Sequence, residues 1–344
     1  MSRPLRIWLP AICAGSGADV FVQRLAQGLQ RAGHEPQVQW FDHRYELMPW
    51  RLTAYHAPAG TDLVHANSWQ GFAFKREGIP LVVTEHQYVA HPTFAPYEGY
   101  LQRLYHRRFI EPCMRKSFRA AAAVVAVSEF CAAAMREDLN KPVEVVHNWV
   151  DTFQFSPGTR GIHGVGADNV TRLLFVGNPS RWKGADILPA LASILGEGYE
   201  IHCLGGLRKG FKRGKLPRNM RLLSSMASEA MPDIYRSVDM ALVPTRYEAF
   251  GYVALEAMSC GLPVVGFDSS GTAEICVHGE TSLLASVDDV KQLADHIKQL
   301  ACDPKSRSQL GAAGRQRALE YFGEERAVAA YLHIYSGVLK KGRA

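Results

Sequence analysis

The chain has 344 residues, 47% of them hydrophobic and 21% charged, with 30 glycines and 18 prolines. That composition excludes intrinsic disorder and fibrous structure, and at roughly 150 residues per domain the length predicts two domains. The net charge of +6 suits anionic small ligands or a membrane surface and is too weak to point to nucleic acid.

The chain opens with MSRPLRIWLPAICAG, two arginines before an apolar stretch. Pro10 interrupts that stretch and no cleavage site follows, so a first strand over Leu5–Leu9 ending in a glycine turn is expected rather than a signal peptide. Val20, Phe21, Leu25 and Leu29 then recur at helical spacing over Ala18–Ala32, with Gly33 placed as the C-cap. Strands are predicted at Pro36–Phe41, Leu63–Ala66, Leu81–Thr84, Val124–Val127 and Val143–Val146, several of them separated by helical segments. The Gly- and turn-rich stretch 148–166 reads as a linker. The rhythm restarts with strands at Leu173–Val176, Glu200–Leu204, Met220–Leu223, Met240–Val243 and Val264–Phe267. This alternation predicts an α/β protein of two Rossmann-like, doubly wound parallel-sheet domains, 1–150 and 151–344, facing across a cleft. The last helix is expected to pack back on the first domain. No run approaches the roughly 18 to 20 apolar residues of a membrane-spanning helix. Seven scattered cysteines with no CxxC pair argue against a disulfide framework or a zinc site, and for the cytoplasm.

Ligands of doubly wound sheets bind beyond the carboxyl ends of the strands, so the segments just after each strand carry the functional reading. The strongest is YEAFGYVALEAMSCGLPVVG (247–266), which follows the strand Met240–Val243. A helix starting near Gly251 puts Glu256 inside it and leaves Glu248 in the loop before. A helix N-terminus offers free N–H groups to an anion, and carboxylates beside it can accept hydrogen bonds from sugar hydroxyls. The competing reading is two solvated surface carboxylates.

The string EAFGYVALEAMSCGLPVV resembles the signature of the retaining nucleotide-sugar glycosyltransferases of family 4, which have the two-domain GT-B fold. Several other stretches are similar in the same order: GSGADVFVQRLAQGLQRAGHE (15–35), DLVHANS (62–68), VVTEH (82–86), VAVSEF (125–130), VHNWVDTFQFSP (146–157), LLFVGNPSRWKG (173–184) and SSGTAEICVHGETSLL (269–284). The resemblance covers essentially the whole chain and is most specific in the C-terminal half. It implies that Glu248 holds hydroxyls of the donor sugar, aided by main-chain N–H groups around Phe250 and Gly251, and that Glu256 holds the ribose of the nucleotide. Lys183 would neutralise the diphosphate, Gly15 and Gly17 would let the first turn approach it, and His86 would face the transferred sugar.

Charge separation in the transition state would be met by a Lys and helix N-termini. Metal-dependent transferases commonly use a DxD pair, and none occurs here, so no metal and no cofactor are expected, the nucleotide sugar being the substrate. Two positions depart from the family pattern. Asn178 stands where Arg is usual, with Arg181 three residues on as a replacement, and Ser282 stands where Gly is usual.

His65 and His147 are expected to be structural, Ser128 to cap the helix after it, and Glu274 either to touch the nucleotide or to cap a helix. The segment 100–119 holds Arg103, Arg107, Arg108, Arg115, Lys116 and Arg119 beside Leu101, Leu104, Tyr105, Phe109, Met114 and Phe118. Such a basic amphipathic segment can lie on an anionic membrane, meet an acceptor, or be a core helix with snorkelling arginines. A second basic run, 207–221, is either a nucleotide or acceptor contact or a solvated loop. The leading expectation is a metal-independent, retaining sugar transferase acting on a glycan or lipid-linked acceptor in lipopolysaccharide, capsule or exopolysaccharide biosynthesis. It would work in the cytoplasm or on the inner face of its membrane, with no nucleic-acid partner. A sugar-nucleotide epimerase of the same fold and a non-catalytic nucleotide-sugar-binding regulator are the alternatives.

Overall fold

A computed structural model describes residues 3–158, 170–205, 216–224 and 226–342. Part of the expected linker (159–166) and most of the second basic run (207–215) lie outside the described residues. The chain forms two compact units, Met1–Asn148 with Glu324–Ala344, and Trp149–Gly323.

The first unit runs β1 (Arg6–Ile12), α1 (Gly17–Arg31), β2 (Glu35–Phe41), β3 (Leu63–Asn67), β4 (Leu81–Glu85), α2 (Tyr100–Tyr105), a π-helical turn (His106–Ile110), α3 (Glu111–Ala120), β5 (Ala123–Ala126), α4 (Glu129–Leu139) and β6 (Glu144–Val145). Its six strands are all parallel in the order β2-β1-β3-β4-β5-β6. Strands covered on both faces are expected to read as unbroken apolar runs rather than alternating ones. β1 does so, being buried from Ile7 to Ile12, and all five residues of β4 are buried.

α1 presents Phe21, Val22, Leu25 and Leu29 to the core. Leu25 and Leu29 have no exposed surface, and truncating either to Ala costs ~2–5 kcal/mol. Gly33, at φ +83, follows the helix where the sequence put its C-cap. Ser128 Oγ accepts from the Cys131 N–H at 3.2 Å, capping α4 as expected.

The second unit runs β7 (Thr171–Gly177), α5 (Leu188–Leu195), β8 (Tyr199–Gly205), β9 (Met220–Leu223), α6 (Met231–Arg236), β10 (Met240–Val243), α7 (Tyr252–Ser259), β11 (Val264–Phe267), α8 (Thr272–Ile275), β12 (Ser282–Ala285), α9 (Val290–Cys302) and α10 (Pro304–Tyr321). The parallel order here is β12-β11-β10-β7-β8-β9. Leu173, Phe175, Leu188, Leu191, Leu242, Val265, Leu293 and Ile297 join strands and helices into one core.

The chain ends in α11 (Glu324–Lys341), which belongs to the first unit. Glu324 forms an ion pair with Arg31, and Gly28 of α1 lies so close to Val328 that a side chain there would collide. Tyr335 and Tyr331 of this helix reach the sheet. Tyr335 OH is 2.6 Å from His65 Nδ1, and Tyr331 OH is 3.3 Å from Thr84 Oγ1.

Each sheet reverses its winding once. In the second unit the reversal lies between β7 and β10, and in the first between β1 and β3. A crevice opens beyond the strand ends at such a switch point.

Candidate active site

The turn that follows β7 carries Arg181–Lys183, and the loop that follows β10 carries Glu248. These are the two strands flanking the switch point of the second sheet. The Lys183 ammonium and the Glu248 carboxylate form an ion pair there.

The local chain explains how both side chains are held. Gly184, at φ +72, closes the Lys183 turn, and a Cβ on it would run into the Pro244 carbonyl. The Arg246 and Tyr247 N–H groups donate to the Trp182 carbonyl at 2.8 and 3.3 Å. On the other side, the Glu248 N–H donates to Ser270 Oγ at 2.9 Å, and the Gly271 N–H donates to the Glu248 carbonyl at 2.9 Å. A side chain at Gly271 would collide with the Ala249 carbonyl, so only glycine permits this approach.

α7 starts where expected, with Gly251 as its N-cap at φ +108. Phe250 turns its ring into the protein, 2% exposed and against Phe322 and Tyr252, so only its main chain is available to a ligand. Glu256, in the second turn of α7, accepts from the Tyr235 hydroxyl at 3.1 Å. Burial and that carboxylate together push the Tyr235 hydroxyl well above its ordinary pKa, so it stays a donor. Asn178 contributes its carbonyl to the turn, accepting from the Ser180 N–H at 2.7 Å. Arg181 contributes its carbonyl to the Arg246 guanidinium. Glu274 lies in the four-residue α8, and its carbonyl accepts from Arg317. Ser282 is fully buried at the start of β12, the strand that the sequence did not predict.

In the first unit, Gly15 has φ +61 and Gly17 begins α1. The Ala14 and Gly15 N–H groups donate to one oxygen of Asp19 at 3.0 and 2.8 Å. Two amides of the turn expected to approach a diphosphate are therefore taken by the chain's own carboxylate. A carboxylate in the first turn of a helix is favoured there by the same free N–H groups that attract an anion. The signal was present in the sequence as Asp19, four residues after Gly15.

His86 follows β4. Its Nε2 is 3.1 Å from Asn67 Oδ1, at the end of β3, and its ring packs 4.4 Å from that of Phe21. Burial pushes its pKa down to about 3, so the imidazole is neutral. Because an amide oxygen only accepts, Nε2 carries the proton as the Asn67 amide is assigned, and Nδ1 keeps a lone pair for a hydroxyl. His65 is structural, held between Tyr335 and Thr84 Oγ1, the latter at 2.7 Å. Beside His86 stands a group to which the sequence assigned no role. Glu85 is 1% exposed, accepts from the Gln87 N–H at 2.7 Å and from Ser68, and burial raises its carboxyl to about 7.

The basic segment does not form one amphipathic face. The π turn at His106–Ile110 separates two stretches that place their apolar side chains differently. Before it, Tyr100, Leu101, Leu104 and Tyr105 are exposed, Tyr100 by 81% and Leu101 by 77%; from its last residue on, Ile110, Met114 and Phe118 are buried. The cations divide as well. Arg115 pairs with Asp138 at 2.8 Å, Arg103 donates to the Ala95 carbonyl, and Lys116 lies over the Phe72 ring at 5.7 Å. Arg107, Arg108 and Arg119 are exposed. Trp50, itself 52% exposed, meets Phe109 edge-on at 6.3 Å and extends the outward aromatic face.

Among the described residues, no group of three or more His, Cys, Asp or Glu side chains is placed to hold a metal ion, and no helix is long and apolar enough to cross a membrane.

Residues 166–317 match the family described as Glycosyl transferases group 1, and residues 39–154 match Glycosyltransferase Family 4. The chain is 28% identical over 326 residues to a D-inositol 3-phosphate glycosyltransferase of Thermobispora bispora, covering 85% of this chain and 74% of that one. Sucrose-phosphate synthase from Thermosynechococcus elongatus has the same fold at a TM-score of 0.79 and 19% identity, over 98% of this chain and 100% of that one. HepE from Anabaena, solved in complex with UDP-glucose, gives 0.73 at 18% identity over 97% and 100%. Each half of the chain thus matches a glycosyltransferase domain model, and its fold is GT-B.

Proposed function

We propose that this chain moves a sugar from a nucleoside-diphosphate sugar to a glycan or lipid-linked acceptor, with retention of anomeric configuration and without a metal ion, in the building of lipopolysaccharide, capsule or exopolysaccharide. The observation that carries the reading is the pairing of Lys183 with Glu248 across the switch point of the second sheet. Cleaving the anomeric C–O bond builds positive charge on the sugar and negative charge on the departing diphosphate. Lys183 meets that negative charge, and preorganised groups of this kind are worth several kcal/mol in a site that excludes water. Glu248 accepts from the sugar hydroxyls. Glu256, held by Tyr235, accepts from the ribose. His86, neutral and with Nδ1 unprotonated, accepts from a hydroxyl at the first unit's strand ends.

The test is a thermal-shift screen of UDP-, GDP- and ADP-sugars, since a ligand that binds only the folded chain raises its melting temperature. One donor class should stabilise the protein equally with and without EDTA. Stabilisation by no donor, or only with added Mg²⁺, would contradict the reading.

The outward face of Tyr100, Leu101, Leu104, Tyr105 and Trp50, beside Arg107 and Arg108, supports a place on an anionic membrane, where lipid-linked acceptors are found. The relative named for D-inositol 3-phosphate supports a second acceptor class, a phosphorylated polyol. Product formation with inositol phosphate but not with lipid extract would favour it.

A further inference from the structure

The second unit holds a buried cation that none of the assigned roles uses. Arg246 stands between β10 and Glu248 and is 7% exposed. Its Nη1 and Nη2 donate to both carboxylate oxygens of Asp186, at 2.6 and 3.0 Å. Its Nε donates to Asp288 Oδ1 at 2.6 Å, and Nη1 also reaches the Arg181 carbonyl. Its own N–H donates to the Trp182 carbonyl at 2.8 Å. One residue therefore grips the Lys183 turn from both sides, through main chain at Trp182 and through side chain at Arg181 and Asp186.

The third anchor comes from beyond β12. Asp288 has φ +68, a left-handed conformation that few residues other than glycine adopt, and its neighbour Asp289 caps α9 by accepting from the Gln292 N–H at 2.8 Å. The ends of β7, β10 and β12 are thus tied at a single guanidinium. A planar fork of donors suits this bidentate and bridging role, and a lysine ammonium could not reproduce it.

We propose that Arg246 is a positioning residue that sets Lys183 against Glu248, and that it does so by clamping the Arg181–Lys183 turn to the loop after β10, two residues before Glu248. The proposal rests on the donor-site reading under Proposed function. It also has a charge component. Removing the guanidinium leaves the Asp186 and Asp288 carboxylates without the cation that now pairs with both, and the added negative charge would oppose an incoming diphosphate.

The experiment compares wild-type protein with Arg246→Gln, Arg246→Lys, Asp288→Asn and the double variant Arg246→Gln/Asp186→Asn. Affinities are measured by calorimetry for the matched pairs UDP and UMP, GDP and GMP, ADP and AMP, and amide hydrogen exchange is read over residues 180–187 and 246–248. The expected result for Arg246→Gln is faster exchange in both stretches and a loss of diphosphate affinity approaching the roughly tenfold loss of Lys183→Ala, with monophosphate affinity unchanged, because the ammonium is no longer held where the diphosphate binds. The double variant should recover part of the loss, Arg246→Lys little of it, and Asp288→Asn should show the same selective loss at smaller size. A diphosphate-to-monophosphate ratio that stays at the wild-type value, or both ligands weakening equally, would overturn the proposal. Wild-type protein that binds none of the three diphosphates overturns the donor-site reading and the proposal with it. Should Arg246→Gln fail to fold, the ratio in Asp288→Asn and Arg246→Lys decides.

Discussion

Lys183 and Glu248, 65 residues apart in sequence, are ion-paired across the strand ends of the second sheet, with about a fifth to a quarter of each side chain exposed. A partly buried pair gives back much of its attraction in lost hydration, so a diphosphate can take the ammonium from the carboxylate. Binding of the leaving group would then release Glu248 to accept from the sugar. The two residues should respond to substitution with opposite signs.

For the free nucleoside diphosphate, Lys183→Ala should weaken binding about tenfold or more, whereas Glu248→Gln should leave it unchanged or tighten it by up to about fivefold, the equivalent of the lost pair. Turnover with the intact donor should fall in both. Calorimetry with UDP, GDP and ADP checks this, and a Glu248→Gln variant that loses diphosphate affinity as Lys183→Ala does would contradict the exchange.

Glu256 should act on the nucleotide rather than on the sugar. Glu256→Ala should weaken nucleotide and nucleotide sugar alike. Tyr235→Phe removes one hydrogen bond from the carboxylate and should cost about 1 kcal/mol of stability while changing affinity only a few-fold. If the free nucleotide binds Glu256→Ala as tightly as wild type, the ribose assignment fails.

Two buried groups give opposed pH dependences. His65 has its pKa pushed from 6.5 to about 3 by burial, with the neighbouring His86 adding to the effect. Between those values the unfolded chain binds a proton that the folded chain refuses, so stability falls as pH drops from about 6.5 towards 3, by a few kcal/mol at most. Glu85 is raised from 4.5 to about 7, so here the folded chain binds the extra proton and stability falls as pH rises through that window. Urea unfolding against pH should show a flattened acid limb in His65→Gln and a gain above pH 7 in Glu85→Gln. An unaltered slope in either variant would contradict the shift assigned to that group.

Adsorption to lipid should depend on the residues before the π turn and on the arginines within it. Replacing Leu101 and Leu104 with Ser and Arg107 and Arg108 with Gln should release the protein from anionic vesicles, each cation being worth on the order of 1 kcal/mol at such a surface. Arg115→Gln should matter less, because Asp138 already pairs with it. Salt should weaken the adsorption, since exposed charges are screened over roughly 10 Å at 0.1 M. Wild-type protein that stays in the supernatant at low salt would rule out the membrane reading.

The strands and α7 were legible because buried parallel strands are continuous apolar runs and because the Gly251 and Glu256 spacing marks a helix start. β12 was missed although SLLA is as long as the predicted β9, β10 and β11 and follows a turn at Gly279. The π turn has no period that could announce it, and the sequence does not tell that the apolar side chains stand outward before it and inward after it. Arg246 looked like any loop arginine. Its partners Asp186 and Asp288 lie 60 and 42 residues away, and only the strand order brings them together. Asp19 and Glu85 sat beside residues already chosen, and their roles depend on burial and hydrogen-bond direction, which sequence does not carry.

The measurement that bears most directly on glycosyl transfer at Lys183 and Glu248 is the anomeric configuration of the sugar released or transferred from the donor that stabilises the chain, followed by ¹H NMR at early times in the presence of EDTA. The account predicts a product with the donor's own configuration, formed at the wild-type rate without metal and lost in Lys183→Ala. An inverted product, or turnover that appears only when Mg²⁺ is added, would contradict it.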